Sequence, residues 1–212
     1  MAQVLQRPVC DPATNVTRSL LGYGVLAGPF YVLVSLLQAL TTQGFDLTRH
    51  EWSLLATGPA GWIQIANLVL SGLMVVAAAV GMRRTGLKWG PLLVAGYGVG
   101  MVAAGVFTAD PADGFPVGTP AGRATSVSWH GMAHLVAGSV GFLCLIAACF
   151  VLARTGLAVF SRITGVVFFA AFAGIASAAG NVAVNLAFTA AVVLASAWLA
   201  VVSVRLYRGV TR

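Results

Sequence analysis

Apolar residues in this 212-residue chain fall into six long runs separated by short polar segments. A helix needs about 20 apolar residues to cross the hydrocarbon core of a membrane, and an isolated strand cannot satisfy its backbone hydrogen bonds there. We therefore predict an all-α fold, a polytopic membrane protein with six transmembrane helices in one bundle. The predicted spans are Leu20–Thr41, Gly61–Gly81, Trp89–Ala109, Val127–Ala153, Val159–Gly180 and Val182–Tyr207.

The composition supports a surface that faces lipid. Hydrophobic residues make up 59% of the chain, charged residues only 8%, and the mean hydropathy is +0.93, whereas a soluble domain carries about 25% charged residues. A net charge of +7 is also found in proteins that bind nucleic acid. The basic residues stand singly or in small groups between apolar runs, without a basic stripe and interleaved aromatics, so we exclude a nucleic-acid partner.

The basic residues are distributed unevenly between the two sides of the predicted bundle. Ten of the twelve lie in the N-terminal arm, the second and fourth loops and the C-terminal end, and only Arg49 and Arg123 lie elsewhere. The positive-inside rule then predicts that both termini are cytoplasmic, in a multi-pass protein of the cell (plasma) membrane. We expect a cytoplasmic arm over residues 1–19, a transmembrane domain over 20–208 and a cytoplasmic tail over 209–212. The ten residues are Arg7, Arg18, Arg83, Arg84, Lys88, Arg154, Arg162, Arg205, Arg208 and Arg212.

Polar chemistry collects on the predicted outer side, which holds all three histidines and four of the five acids. Polar groups at membrane depth are costly unless they face one another or a wet cavity. We therefore predict a polar, extracytoplasmic pocket in the outer half of the bundle and a nearly purely apolar inner half. The candidate ligand-binding residues are Arg49, Glu51, Gln64, Asn67, Asp113, Asn181 and Asn185.

His130 and His134 form the sharpest local signal. Residues four apart share one face of a helix, a spacing that suits two ligands of one divalent metal such as zinc. Asp110 or Asp113 would add a carboxylate to such a metal site. The two histidines suit a general acid and base equally well. Hydrogen bonding of two interfacial histidines to the third loop is the structural alternative. We therefore predict His130, His134 and Asp110 as candidate catalytic residues, the histidines also as candidate metal ligands.

Small residues predict where helices approach each other closely. The third span carries Gly98 and Gly100, and the fourth carries Gly138 and Gly141. We expect these glycines to serve packing.

Four stretches of the chain together resemble a family of bacterial and archaeal membrane proteins known as domain of unknown function 998. The resemblance covers nearly the whole chain and implies six spans. The family looks distantly similar to the Frag1/DRAM/Sfk1 group of eukaryotic membrane proteins. The resemblance also implies that six residues occupy polar positions that recur in the family: Arg49, Gln64, Asn67, Asp110, His130 and His134. The first stretch runs from Gly44–Arg49 through Gly61–Asn67, and the other three are Ser71-Gly72, Gly105–Pro111 and His130–His134.

Two functions remain open on this basis. The first is an enzyme that acts on an amphiphilic lipid or isoprenoid through acid-base or metal chemistry of His and Asp. The alternative is a non-catalytic membrane protein that binds or senses a lipid or other small amphiphile. The expected partners are membrane lipids and an amphiphilic small molecule, while the oligomeric state is left open. No acid or arginine lies at mid-membrane in any span, so a proton-coupled transporter is not supported.

Overall fold

The computed structural model describes residues 11–122, 126–178 and 180–210. Over these ranges the chain forms six long α-helices, no extended strand, and two short 3-10 helices at Trp52–Thr57 and Ala153–Thr155. All six long helices have the length and apolar composition needed to cross a membrane, which confirms the predicted fold. They are α1 (Pro12–Thr41), α2 (Gly61–Arg84), α3 (Trp89–Val106), α4 (Trp129–Leu152), α5 (Ala158–Ala178) and α6 (Val182–Gly209).

The first helix begins earlier than its apolar run. Asp11 caps it by accepting hydrogen bonds from the backbone N–H groups of Ala13 and Thr14, each at 3.2 Å. Pro12 occupies the first helical position, where its missing N–H costs nothing. Residues 12–19, predicted as part of the N-terminal arm, are therefore helical. Arg7, Arg123 and Arg212, together with residues 1–10 of the arm and 211–212 of the tail, lie outside the described residues.

Consecutive helices pack side by side, and α6 returns to pack on α1. The helices α2 and α3 approach each other closely at Gly72 and Gly98. A Cβ built on Gly72 would lie 2.6 Å from the carbonyl oxygen of Gly98, and one built on Gly98 would lie 2.7 Å from that of Gly72. Gly100 approaches Gly141 of α4 in the same way, since its Cβ would lie 2.8 Å from the Gly141 Cα. These contacts confirm the packing role of three predicted glycines. The prediction is wrong for Gly138, because a Cβ there would meet nothing within 4 Å.

The main hydrophobic core lies between the helices and includes a cluster of aromatic side chains from α4, α5 and α6. Trp198 of α6 is fully buried, and its indole N–H donates to Ser161 Oγ of α5 at 2.9 Å. The ring of Phe142 in α4 makes edge contacts with three further phenylalanines of α5 and α6. These contacts fix α5, whose spanning segment has the smallest buried share of the six.

Both described ends of the chain lie at the same end of the bundle. Arg18 near the start of α1 donates to the hydroxyl of Tyr207 near the end of α6 at 3.0 Å. Arg84 at the end of α2 donates to the hydroxyl of Thr17 at 2.8 Å. The opposite end, formed by the first loop (residues 42–60), the third loop (residues 107–128) and the turn between α5 and α6, is called the distal end below. The positive-inside rule predicts that the distal end faces outward.

Buried polar residues are found in both halves of the bundle. The buried amide and imidazole side chains of the described residues all lie in the distal half. The terminal half, however, buries the hydroxyls of Ser161, Thr164 and Ser203. It is therefore less purely apolar than predicted. A hydroxyl is tolerated within a helix bundle because it can bond to a backbone carbonyl one turn earlier, as Thr164 does to Phe160 at 2.9 Å.

Candidate functional site

Asp110 joins the end of α3 to the start of α4. Ser128 caps α4, since its hydroxyl accepts from the Gly131 N–H at 3.0 Å. Asp110 accepts from the Ser128 hydroxyl at 2.6 Å and from the Ser128 backbone N–H at 2.8 Å. The carboxylate lies so close to the helix that a Cβ at Gly131 would overlap it. A negative charge is favourable at a helix N-terminus, and the Ser128 hydroxyl bond holds the pKa of Asp110 below its usual value.

The two histidines four residues apart bond to the other side of the same junction. His134 Nδ1 lies 2.9 Å from the carbonyl oxygens of both Ala104 and Phe107. His130 Nδ1 lies 3.1 Å from the carbonyl oxygen of Thr108. Carbonyls only accept, so Nδ1 carries the proton in both rings. The last carbonyls of a helix lack partners within the helix, and His134 supplies such a partner to Ala104 of α3. Its second bond, to Phe107, and the bond of His130 to Thr108 go to the first residues of the third loop.

The surroundings of the two rings differ in access to solvent. The side chain of His130 is 41% accessible and its Nδ1 lies 4.0 Å from Asp110 Oδ1, whereas His134 is buried. Within the described ranges, no three His, Cys, Asp or Glu residues form a group that could hold a metal ion. The catalytic and metal-binding roles of Asp110, His130 and His134 stay predictions.

Gln64 and Asn67 lie in a buried network between α1 and α2. The Ser35 hydroxyl of α1 is 3.2 Å from both polar atoms of the Gln64 amide. The Asn67 amide nitrogen donates to Ser35 at 3.1 Å and to the carbonyl oxygen of Tyr31 at 3.1 Å. The two amides thus satisfy each other and their neighbours, as polar side chains between membrane helices do.

His50 is the centre of a third cluster, which ties the first loop to the third. The ring is buried, with Nδ1 accepting from the Asp46 backbone N–H at 2.9 Å. Nε2 therefore carries the proton and donates to the carbonyl oxygen of Asp113 at 3.0 Å. Arg49 donates to the same carbonyl at 3.2 Å, so Arg49 and Asp113 do come together, although through the backbone of Asp113. The Thr48 hydroxyl bond lowers the pKa of Asp46.

Asn181 and Asn185 position α6, and Glu51 lies in the first loop. Asn185 donates to the carbonyl oxygens of Leu47 at 2.9 Å and His50 at 3.2 Å, joining α6 to the first loop. Asn181 caps α6 by accepting from the Val184 N–H at 3.2 Å. Glu51 directly precedes the short helix Trp52–Thr57.

A groove of about 620 Å³ opens elsewhere at the distal end. It lies between α1, the first residues of α2, the first loop and the tip of the third loop. Its eleven lining residues, all within the described part of the chain, include none of the ten predicted site residues. Sequence patterns missed it because its walls come from segments far apart in the chain. The lining residues are Val34, Leu37, Gln38, Thr41, Thr42, Gln43, Pro59, Ala60, Ile63, Pro116 and Val117.

Residues 25–205 match the family described as "Protein of unknown function (DUF998)". The chain belongs to this family. The residues matched by the DUF998 family cover most of the six-helix bundle. They include the groove, the α3–α4 junction and the His50 cluster. No curated protein and no solved structure matches the chain.

Proposed function

We propose that the protein binds an amphiphile in the groove at the distal end and does so without catalysing a reaction on it. The observation that carries this proposal is the groove itself, about 620 Å³ in volume. That volume is within the range of small-molecule sites, which are mostly apolar with a few polar groups. The lining fits this description, since it combines aliphatic and proline side chains with the amides and hydroxyls of four residues.

The position of the groove favours entry from the lipid. Leu37 lines the groove and is 55% exposed, so the groove is continuous with the outer surface of α1. Val117 of the third loop lines it from the side of the loops and is 71% exposed. An amphiphile therefore enters sideways between α1 and the third loop, with its chain along Val34 and Ile63.

The bonding of the histidine pair supports binding over catalysis. Both oxygens of Asp110 accept bonds from Ser128, the residue that caps α4. The Nδ1 atoms of His130 and His134 bond to backbone carbonyls where α3 ends and the third loop begins. These interactions give all three side chains a role in holding the junction. An enzyme that uses them on a lipid is the competing hypothesis, and it requires the substrate to reach a place other than the groove.

Photolabelling tests the proposal directly. The purified protein in lipid nanodiscs is irradiated with a palmitoyl lipid that carries a diazirine in its acyl chain, and labelled residues are mapped by mass spectrometry. Groove binding predicts labelling concentrated on Val34, Leu37 and Ile63, with saturation as the probe concentration rises. Labelling spread over the exposed faces of all six helices without saturation would overturn the proposal.

The substitution Ile63→Trp, which fills the groove, provides the matched comparison. It should remove the saturable labelling, because an indole occupies space that the acyl chain needs. Leu33→Trp introduces the same side chain one residue before Val34 at a position that is 59% exposed and does not line the groove. It should leave the labelling unchanged.

A further inference from the structure

Gln38 is the most deeply buried polar side chain of the groove. It is 6% exposed, and its Nε2 donates to the carbonyl oxygen of Ala60 at 2.9 Å. Its Oε1 is buried and has no hydrogen-bond partner among the described residues. The orientation of the amide is fixed by Ala60, because a flipped amide would place two acceptor oxygens against each other.

A buried acceptor without a partner is unfavourable and rare in native proteins. The nearby hydroxyl of Thr41 does not supply the missing donor, since it bonds to the carbonyl oxygen of Leu37 at 2.8 Å. Gln38 lines the groove, but its Oε1 has less than 1 Å² of accessible surface without a ligand. A ligand lying there supplies the missing donor when the lining side chains shift to admit its hydroxyl.

The rest of the lining restricts the charge of that ligand. None of the eleven lining residues, all of them within the described ranges, is Asp, Glu, Lys or Arg. A charged headgroup in the groove would lose water without gaining an opposite charge, which is strongly unfavourable. A hydroxyl or amide N–H loses little and gains the bond to Gln38.

We infer that the groove takes an uncharged lipid with a free hydroxyl group, such as a monoacylglycerol, whose hydroxyl donates to Gln38 Oε1. This inference rests on the proposed function, since it identifies the class of amphiphile that the same groove binds. The acyl chain lies along the aliphatic residues of α1 and α2, and the headgroup lies near the start of the first loop.

Competition against the photoreactive palmitoyl lipid tests the headgroup. Three oleoyl compounds are compared on the full-length protein at equal mole fraction in detergent: 1-oleoylglycerol, methyl oleate and oleate. The first has hydroxyls, the second is uncharged without a donor, and the third is charged. We expect 1-oleoylglycerol to compete about tenfold better than the other two, the effect of one hydrogen bond to an otherwise unpaired acceptor. Equal or better competition by oleate or methyl oleate would overturn the inference.

Two substitutions within the groove localise the preference. Gln38→Met keeps the length of the side chain and removes the acceptor, so it should abolish the preference for 1-oleoylglycerol while methyl oleate still competes. Gln43→Met makes the same change at an exposed lining residue and should keep the preference. A preference that survives Gln38→Met would contradict the inference. If Gln38→Met does not fold, the wild-type headgroup series decides alone.

The two proposals fail in different ways. If all three compounds compete equally and Ile63→Trp removes that competition, the groove binds amphiphiles and only the headgroup assignment is wrong. If no compound displaces the probe, the proposed function itself is wrong.

Discussion

The substitution Asp110→Asn separates a structural junction from a catalytic one. The Asp110 carboxylate accepts two hydrogen bonds from Ser128, at 2.6 and 2.8 Å, and lies at the N-terminus of α4. An asparagine has one acceptor oxygen, so one bond is lost and the other is no longer charge-assisted. Hydrogen bonds to charged groups contribute about 1.5–3 kcal/mol, and a charge at a helix terminus contributes about 0.3–1 kcal/mol. The carboxyl group is partly accessible to solvent, so we expect a net loss of about 1–3 kcal/mol.

The assay is thermal unfolding of the purified protein in detergent. A loss of about 1–3 kcal/mol lowers Tm by several degrees in a protein of this size. Asp113→Asn is the matched control in the same loop. Arg49 and His50 bond to the backbone carbonyl of Asp113, and asparagine tolerates its positive φ of 53°. This control should change Tm little.

The pH dependence of that difference follows from the ionisation of Asp110. Its pKa in the folded protein is below its ordinary value of 3.8. A carboxyl group with a lowered pKa stabilises the fold above its unfolded-state pKa, and this contribution is lost as the pH falls through the folded-state pKa. The Tm difference between wild type and Asp110→Asn should thus be full at neutral pH and shrink below about pH 4. An unchanged Tm at pH 7, or a difference that grows in acid, would refute the reasoning.

Three further substitutions test the packing and the first loop. Gly72→Ala should lower Tm strongly or prevent folding, because its Cβ would meet the backbone carbonyl of Gly98 at 2.6 Å. Gly138→Ala is the control and should be tolerated, because a Cβ there has open space. Equal effects of the two substitutions on stability in detergent would show that the α2–α3 contact is wrong. His50→Phe keeps a ring in place but removes the acceptor of the Asp46 N–H, so hydrogen exchange at that amide, followed by mass spectrometry, should rise. Unchanged exchange would mean that His50 does not hold the first loop.

The six spans were predictable from the sequence because lipid requires each helix to be long and apolar by itself. Asp11 followed by Pro12 is a typical sequence for the start of a helix. The predicted span nevertheless began at Leu20, because its start was taken from the apolar run. A hydrophobicity pattern measures what faces lipid. It does not register a helix turn that extends beyond the apolar run.

The partners of the polar residues were not predictable in the same way. The sequence grouped Asp110, His130 and His134 as candidates, and the structure has all three at the junction where the third loop connects α3 to α4. It also offered hydrogen bonding of the two histidines to the third loop, and His130 does bond to Thr108 and His134 to Phe107. It did not reveal the bond of His134 to Ala104 of α3 or the bonds of Asp110 to Ser128. The i, i+4 spacing of two histidines is the same for metal binding and for capping a neighbouring helix.

The groove had no local signal at all. From the sequence, Gln38 is a polar residue near the end of an apolar span, and Pro116 and Val117 are predicted loop residues. They line one groove because the His50 cluster holds the third loop against the first. Only the folded chain brings these segments together.

Binding stoichiometry measured by native mass spectrometry tests amphiphile binding in the groove most directly. Wild type, Ile63→Trp and Leu33→Trp are each titrated with 1-oleoylglycerol in detergent. Groove binding predicts one tightly held molecule per chain for wild type and Leu33→Trp, and none for Ile63→Trp with its fold intact. Equal retention by all three proteins, or no retention by wild type, would contradict it.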